Sequence, residues 1–514
     1  MAADFPAAVT NIARPTAQTK RNAPGYEGHA LHNKLADEVE AIEGVIGVTG
    51  STVPTSLEYR LANVQAVADA AADAVQVVDA DLTAFQNDIS KPIKTLTLVQ
   101  MTSDNLQAQL WDGTWIGTDN TATGRYMGSL WFGTGSIGSL TKVEKTACRS
   151  ANLLTKAGAA MPAGGASGVW GVWVLPNENF LFVANATALN KWYLYLAKNA
   201  SGTVTVGDNS PTLNNLRPVL EIGEKSGTHI AGVNALHKRS LCVANIAGST
   251  VLLFGEYNVN TSRTPGSTND LVRVLKSTDM GETWTTLLEW NSNGTTRQVD
   301  HVHGIVQDDQ GFIYILCGDT GKAAIFRWDG VSAAPAANSD HAVFNRTPGW
   351  AVIYGSTDQF RSCDLQFFNR FAAWLPDSNA LTVTQLATRD GPFRIIPGST
   401  YTGVAGHDPL ISLRTPHGAI WFAMFTTVGF PNSPAQYDAW FQPESDPRRA
   451  QRIGKLGNFW AAATTQKLFD IYWSTAGQII VTAGNGGESL VSGSVGGTAV
   501  FSYGADYSVF QNWT

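Results

Sequence analysis

Histidine, arginine and aspartate side chains recur at one position in a series of repeated segments of the chain. Each segment consists of an apolar strand, a polar turn and a second apolar strand, and these residues stand at or just before the start of the first strand. An imidazole that faces a carboxylate can bind a metal ion, transfer a proton or form hydrogen bonds with a sugar. The residues placed in this way are His229, His301, His303, Arg361, Asp364, His407, Asp408 and Asp470.

Most of these residues lie at a similar distance in sequence from the turn of their repeat, which predicts that their side chains come close together in the fold. The residues from His301 onward come from four repeats, and each precedes the polar turn of its own repeat by a similar distance. Where innermost strands line a central channel, similar offsets place side chains at similar heights, so that they ring one mouth. The alternative is an ordinary set of hydrated or mutually paired groups, with His303 and Asp364 as neighbours. The receptor-binding candidates are His301, His303, Arg361, Asp364, His407, Asp408 and Asp470.

The segment His301-Val302-His303 also suits a metal ion, because alternate residues of a strand present both imidazoles on one face. No third ligand follows from the sequence, so we predict neither a metal site nor a cofactor. No catalytic residue can be assigned, and whether the chain is an enzyme stays open at this point.

Six segments share the strand, turn and strand pattern. They read GVWGVWVLPNENFLFVAN, HIAGVNALHKRSLCVAN, HVHGIVQDDQGFIYILCG, RSCDLQFFNRFAAWLPD, HDPLISLRTPHGAIWFAM and LFDIYWSTAGQIIVTAGN. Their turns centre near residues 178, 238, 309, 369, 416 and 476, which leaves room for four strands per repeat. Repeats of this size are typical of β-propeller blades. The prediction is a mainly β fold with a six-bladed β-propeller over residues 166–514, or seven blades if residues 94–150 join the ring.

One of the repeats contains the sequence Ser277-Thr278-Asp279-Met280-Gly281-Glu282-Thr283-Trp284. It is similar to the Asp-box, SxDxGxTW, of sialidase-like propellers at every defined position. The resemblance implies a structural hairpin at the outer edge of a blade and argues for the fold, not for catalysis. The sialidase catalytic set is not transferred, because the near match to the FRIP motif at 393–397 follows the Asp-box instead of preceding it. The structural Asp-box residues are Ser277, Asp279, Gly281, Thr283 and Trp284.

An unbroken seven-residue repeat of apolar or small side chains runs from Leu57 to Ile89, before the predicted propeller. Such a repeat stays buried only when helices supercoil around each other, so residues 56–92 are predicted to form a coiled-coil stalk. Valine at both seam positions, with no polar seam residue, favours three strands; the alternative is one amphipathic helix lying on a globular domain. The seam comprises Leu57, Leu61, Val64, Ala68, Ala71, Val75, Val78, Leu82, Phe85 and Ile89.

The residues before the stalk read GHALHNKLADEVEAIEGVIGVTGS, followed by SLEYRLA. This order of short amphipathic helix, glycine break and heptads resembles the N-terminal segment of many bacteriophage tail fibre and receptor-binding proteins, over about residues 25–62. The resemblance implies that residues 1–55, an extended arm and the short helix, attach to other tail or baseplate proteins of a virion that is assembled in the host cytoplasm. Residues 93–165 are predicted to form a β-rich neck and linker, with a sandwich or an incomplete first blade as alternatives.

Composition excludes several other classes of function. The net charge of −7 provides no basic stripe for nucleic acid, and no run of 18 apolar residues is present to insert into a bilayer. The four cysteines, Cys148, Cys242, Cys317 and Cys363, have neither metal-ligand spacing nor a disulfide pattern.

The leading hypothesis is a homotrimeric phage tail fibre or tailspike-like protein whose propeller binds a bacterial surface receptor, expected to be a glycan. One alternative is a depolymerase that cleaves capsule or lipopolysaccharide with the same architecture. Another is a purely structural tail or baseplate component.

Changing Val75 and Val78 together to aspartate tests the predicted stalk. The change places two carboxylates per chain in an apolar seam, which costs several kcal/mol per bundle. Light scattering should then give about one third of the native mass, with the circular dichroism of the head unchanged. A native mass for this variant would contradict the trimeric coiled coil.

Overall fold

A computed structural model describes residues 93–505 of the chain, with gaps. The segments it leaves out within that range are 103–104, 111, 119–129, 146–147, 149–152, 160–168, 187–190, 198–217, 223–237, 258–270, 291–297, 319–321, 356–357, 369–370, 375, 377–382, 390–391, 397–400, 403–406, 416–417, 426–435, 445–450, 458–465 and 486–496. The predicted virion-attachment segment and the whole heptad seam lie outside the described residues. None of the helices within the described segments is long and apolar enough to cross a membrane.

The described residues form 28 strands and three short helical segments. The strands are β1 (Ile93–Thr102), β2 (Asn105–Gln109), β3 (Trp115–Thr118), β4 (Leu130–Thr134), β5 (Thr141–Lys145), β6 (Val169–Val174), β7 (Phe180–Ala186), β8 (Lys191–Ala197), β9 (Pro218–Ile222), β10 (Leu241–Ile246), β11 (Ser249–Gly255), β12 (Val272–Ser277), β13 (Thr285–Trp290), β14 (His301–Gln307), β15 (Ile313–Gly318), β16 (Ala324–Trp328), β17 (Trp350–Tyr354), β18 (Gln366–Phe368), β19 (Phe371–Trp374), β20 (Val383–Thr388), β21 (Tyr401–Thr402), β22 (His407–Thr415), β23 (Gly418–Phe425), β24 (Gln436–Pro443), β25 (Gln451–Gly457), β26 (Gln466–Trp473), β27 (Ile479–Asn485) and β28 (Gly497–Ala505). The helical segments are α1 (His341–Phe344) and two 3₁₀ turns, Lys238–Ser240 and Asp358–Phe360.

The strands pair into seven four-stranded sheets, which makes the fold a seven-bladed β-propeller. Blades 1 to 6 are β2–β5, β6–β9, β10–β13, β14–β17, β18–β21 and β22–β25, each in chain order. Blade 7 is β26, β27 and β28, with β1 as its fourth strand. The last sheet is therefore completed by the first of the described strands.

The preferred count of six blades was wrong, and the alternative of seven is confirmed. Residues 105–145, predicted as part of a neck, form blade 1, and β1 belongs to blade 7. The first blade escaped the repeat pattern because its inner strand alternates apolar residues with Gln107 and Gln109. Those side chains have partners within the ring: Gln109 Nε2 donates to Gly113 O at 3.0 Å, and Gln109 Oε1 accepts from Thr475 N of blade 7 at 2.8 Å.

One predicted repeat also had the wrong register. The turn of blade 3 lies at Ala247 and Gly248, both with positive φ, and not near residue 238. The segment LCVANI, predicted as the second strand of its repeat, is the innermost strand β10. Residues 238–240 therefore directly precede the inner strand of blade 3. This is the position in a repeat at which the sequence analysis expected the site residues.

Blades 1 and 7 are joined by two buried threonine hydroxyls. Leu106 N, on the inner strand of blade 1, donates to Thr498 Oγ1 at 3.0 Å, and Thr482 Oγ1 donates to Leu106 O at 2.6 Å. Neither threonine is exposed. Because a buried backbone group without a partner costs free energy, these two bonds help to fix the junction between the ends of the ring.

Apolar layers between neighbouring sheets supply the rest of the core. Among the side chains with less than 2% exposure are four tryptophans, Trp290, Trp328, Trp374 and Trp421. Much of the tryptophan content therefore serves packing and is unavailable for stacking on sugars. The four cysteines are free and buried, and burial raises the pKa of the Cys242 thiol to about 12.

The Asp-box hairpin joins β12 to β13 at the outer edge of blade 3, as its sequence predicted. Asp279 accepts bonds from Thr283 N at 2.9 Å, Thr283 Oγ1 at 2.6 Å and Ser277 Oγ at 2.8 Å. Burial opposes its charge, but these bonds outweigh that effect and lower the pKa of Asp279. Gly281 has a φ of +89°, and Trp284 Nε1 donates to its carbonyl at 3.1 Å.

A second turn with the same chemistry follows β16 in blade 4. Asp329 accepts from Val331 N at 3.0 Å, Ser332 N at 2.8 Å and Ser332 Oγ at 2.6 Å, while Trp328 Nε1 donates to Ser332 O. It connects the third strand of its blade to the α1 region before the fourth, and it lacks the SxDxGxTW spacing. Turns held by an aspartate in this way therefore recur outside the Asp-box, although they do not match its motif.

Replacing Thr482 with valine tests the junction between blades 1 and 7. Valine keeps the shape but leaves the Leu106 carbonyl without its buried donor, so the free energy of unfolding should fall by about 1–3 kcal/mol. Urea unfolding monitored by tryptophan fluorescence measures this. Thr286→Val, on the exposed face of β13, is the control and should change stability by less than about 0.5 kcal/mol. Equal effects of the two changes would contradict the role assigned to the junction.

Candidate functional site

Four consecutive blades contribute polar side chains at or before their first strands. Blade 3 provides the 3₁₀ turn Lys238–Ser240, blade 4 provides the start of β14, blade 5 provides residues 361–364 before β18, and blade 6 provides Ser412 on β22. We call Arg239, His301, His303, Asp364 and Ser412 the axial cluster. Three of its members, His301, His303 and Asp364, were predicted from the sequence.

The structure describes only some of the remaining receptor-binding candidates. Arg361 is half-buried just before β18. His407 opens β22, and Asp470 lies on β26 in register with Thr482 of β27. The side chains of His407, Asp408 and Asp470, and the whole of His229, lie outside what the structure describes, so the ring of receptor-binding residues stays a prediction.

A β-bulge places the His303 side chain. The register of β14 against β15 pairs Val302 with Cys317 and Gly304 with Leu316, so His303 is the extra residue. The inner strands of three other blades shift register at the corresponding place, next to Leu106, Trp170 and Leu468. A bulge redirects the side chain of its extra residue. At His303 this brings the imidazole ring next to the ring of His301.

The two imidazoles form a hydrogen bond with a defined direction. His301 Nε2 and His303 Nε2 are 2.8 Å apart, and His303 Nδ1 is 2.9 Å from Ser362 O. A carbonyl oxygen only accepts, so Nδ1 of His303 carries the proton and, in a neutral ring, its Nε2 is the acceptor. His301 Nε2 is then the donor. Both side chains are buried, at 2% and 1% exposure, which keeps a large ligand from direct contact with them.

The surroundings of the imidazole pair fit its shape. The ring of Tyr257 lies 4.1 Å from that of His301 and 5.6 Å from that of His303, between centroids. At Gly318 a Cβ atom would come within 2.2 Å of His303 Cε1. A glycine at this position therefore leaves the space that the imidazole occupies.

Cys363 lies beside His303 without forming a nucleophile and base. Its Sγ is 3.5 Å from His303 Nδ1, and its residue is 1% exposed. That nitrogen already holds a proton and donates it to Ser362 O, so it does not take the proton of the thiol. The pair thus lacks the activated thiol that covalent catalysis requires.

Asp364 links three blades through both of its oxygen atoms. Oδ1 is 3.0 Å from Arg239 Nε and accepts from Leu365 N at 2.9 Å. Oδ2 accepts from Ser412 N at 2.8 Å and Ser412 Oγ at 2.6 Å. Three hydrogen bonds and one ion pair engage both oxygen atoms of the carboxylate, so Asp364 serves as a fixed anion and not as a general base.

Arg239 completes the link and is the member of the axial cluster that reaches solvent. Its Nη2 donates to Ser412 O at 2.9 Å, and its side chain is 33% exposed. The sequence analysis missed Arg239 because the register error placed it in a turn at the far end of the strand. Its position just before the inner strand of blade 3 would have identified it.

A second buried ion pair lies next to the cluster, at the end of the second strand of blade 3. Glu256 is fully buried, and Arg273 contacts it through Nη2 at 2.6 Å and Nε at 3.0 Å. Glu256 O accepts from Val302 N at 3.0 Å, between the two histidines. The start of β14 is therefore fixed to blade 3 on one side and, through Ser362, to blade 5 on the other.

No group of three histidine, cysteine, aspartate or glutamate residues comes together to hold a metal ion in the segments that the structure describes. The chemistry available in the axial cluster is hydrogen bonding and charge pairing. Arg239 is its accessible donor.

Comparison with known proteins finds only weak structural likenesses. No protein-family model matches the chain, and no curated protein matches it in sequence. Among solved structures, the NanB sialidase from Streptococcus pneumoniae is 10% identical with a TM-score of 0.31, covering 80% of this chain and 70% of that one. A protein from Lactobacillus plantarum is 10% identical with a TM-score of 0.34, covering 72% and 90%. An exo-beta-1,3-galactanase from Phanerochaete chrysosporium is 16% identical with a TM-score of 0.29, covering 65% and 77%. Likenesses this weak carry no argument about function.

Replacing Asp364 with alanine tests its role as a fixed anion. The change leaves the donors of Ser412 and the guanidinium of Arg239 without their shared acceptor, and loss of one partner of a buried ion pair costs about 3–5 kcal/mol. The urea midpoint should fall accordingly. Asp300→Asn is the control: it breaks the partly exposed pair with Lys322 at 3.5 Å and should cost less than about 1 kcal/mol. A loss for Asp364→Ala no larger than that of the control would contradict the assignment.

Proposed function

We propose that this chain is an adhesin of the phage tail fibre type. In this proposal it trimerises through residues 56–92, attaches to the virion through residues 1–55 and binds a bacterial surface glycan through its propeller. The observation that carries the proposal is the order of segments in the chain: a tail-fibre-like segment and a heptad seam run without a break into a seven-bladed propeller that begins at Ile93.

The contacts of the axial cluster favour binding over cleavage. Glycoside hydrolysis requires a carboxylic acid and a second carboxylate on either side of the scissile bond. Asp364 has its oxygen atoms occupied, and the two imidazoles are bonded to each other and buried. A depolymerase would need its catalytic groups elsewhere on the head.

Arg239 is the residue of the axial cluster that we assign to ligand contact. Its guanidinium is partly exposed and is oriented by Asp364 and by the carbonyl of Ser412. A planar donor held in one orientation loses little conformational entropy when it bonds to sugar hydroxyl or carboxylate oxygens. Arg361, half-buried before β18, belongs to the same end of blade 5.

An array of bacterial capsular and lipopolysaccharide glycans, probed with the full-length chain, tests this function. The native chain should bind at least one glycan and release no reducing ends from it. Arg239→Lys keeps the positive charge beside Asp364 but loses the planar set of donors, and it should bind about tenfold more weakly. Arg346→Lys, exposed after α1, is the matched control and should bind as the native chain does.

Three outcomes would contradict parts of the proposal. Release of reducing ends would make the head a depolymerase. Equal binding by Arg239→Lys and the native chain would move the site away from the axial cluster. A folded trimer that binds no glycan would favour the structural tail component.

A further inference from the structure

We propose that His301 and His303 form an acid-sensitive latch between blades 4 and 5. The latch is the hydrogen bond between their Nε2 atoms together with the bond from His303 Nδ1 to Ser362 O. It concerns the packing of the propeller and does not require that the chain binds a glycan.

The geometry permits one proton, and only one, between the two Nε2 atoms. At 2.8 Å the atoms are in hydrogen-bond contact, so one nitrogen must donate and the other must accept. The nearby carbonyl of Ser362 already fixes the other proton of His303 on Nδ1. Two fully protonated rings would point N–H at N–H across this distance, and the bond would become a repulsion.

Charged groups on the neighbouring elements lie near the latch. Arg239 pairs with Asp364, Glu256 with Arg273 and Asp300 with Lys322, and Arg361 adds a guanidinium directly before Ser362. Each pair has no net charge. The phenol ring of Tyr257 stacks on His303, and the thiol of Cys363 lies 3.5 Å from His303 Nδ1.

The geometry of the bond then sets the direction of the pH dependence. The closed latch leaves no place for a proton on His303 Nε2, because that atom accepts from His301, whereas an opened latch exposes both rings to water, where histidine has a pKa of about 6.5. The open form can therefore bind one proton more than the closed form. The closed fraction is largest above that pKa and falls as the pH decreases below it.

Opening has a defined structural consequence. The bond from His303 to Ser362 ties the start of β14 to the residues before β18, two positions from Asp364. Its release loosens the segment that positions Asp364 and, through it, Arg239. Acid should thus increase motion first at residues 301–307 and 361–368.

Hydrogen exchange followed by mass spectrometry on the full-length chain tests the latch. After correction for the intrinsic rate, peptides that cover residues 301–307 and 361–368 should lose at least about tenfold in protection between about pH 7.5 and about pH 5, while peptides of blade 2 keep theirs. The double variant His301→Gln with His303→Asn replaces both titrating rings by amides and should show no such change. His341→Gln is the control, because it removes another buried histidine of blade 4 and should behave as the native chain does.

Two results would overturn the proposal. The first is unchanged protection of these peptides in the native chain across this pH range. The second is an equal loss of protection in the double variant and in the native chain. Exchange of the imidazole Cε1–H in the native chain provides a measurement that does not depend on folding of the variant: a pKa at or above about 6.5 for both rings, with protection retained, would show that the pair accepts the charge.

Discussion

The buried carboxylate of Asp364 is the interaction on which the axial end of blades 3 to 6 depends. This group forms an ion pair with Arg239 of blade 3 and accepts from the backbone and hydroxyl of Ser412 of blade 6, while its own residue belongs to blade 5. A propeller has no single continuous core, since each sheet packs only on its neighbours. An ion pair between blades that are not adjacent therefore restrains the ring in a way that the apolar layers do not. The desolvation of this carboxylate is offset only while all its partners are present.

Within the axial cluster, buried residues hold the geometry, and a different, partly exposed residue is accessible from solvent. The two imidazoles and Asp364 satisfy each other or the backbone, and they are buried. Arg239 is held by the same network but keeps a third of its side chain exposed. A site built in this way offers an oriented hydrogen-bond donor beside buried groups that are already bonded, as the proposed binding role requires.

Much of the fold follows from the sequence, because strand alternation and polar turns are local signals. Five of the six predicted repeats have their strands paired in the structure as the sequence predicted, and the Asp-box hairpin joins the third and fourth strands of its blade, as the resemblance implied. The errors have physical causes. Blade 1 was missed because Gln107 and Gln109 make its inner strand look half-exposed, although Gln107 is only 5% exposed. The closure of the last sheet by β1 joins residues at opposite ends of the propeller, and no local pattern records such a pairing. The site was predicted in part: the offsets identified His301, His303 and Asp364, but neither the bulge at His303 nor the reach of Arg239 across the ring can be obtained from spacing.

A double-mutant cycle on unfolding free energy, with Arg239→Met, Asp364→Asn and the two combined, tests most directly whether a charge pair between blades 3 and 5 holds the blades together. Each single change leaves one ionic partner unpaired, whereas the double change removes both. The account predicts that the double variant is more stable than the sum of the single losses by at least about 1 kcal/mol. Losses that add within about 0.3 kcal/mol would contradict it, because the two residues would then act on stability independently.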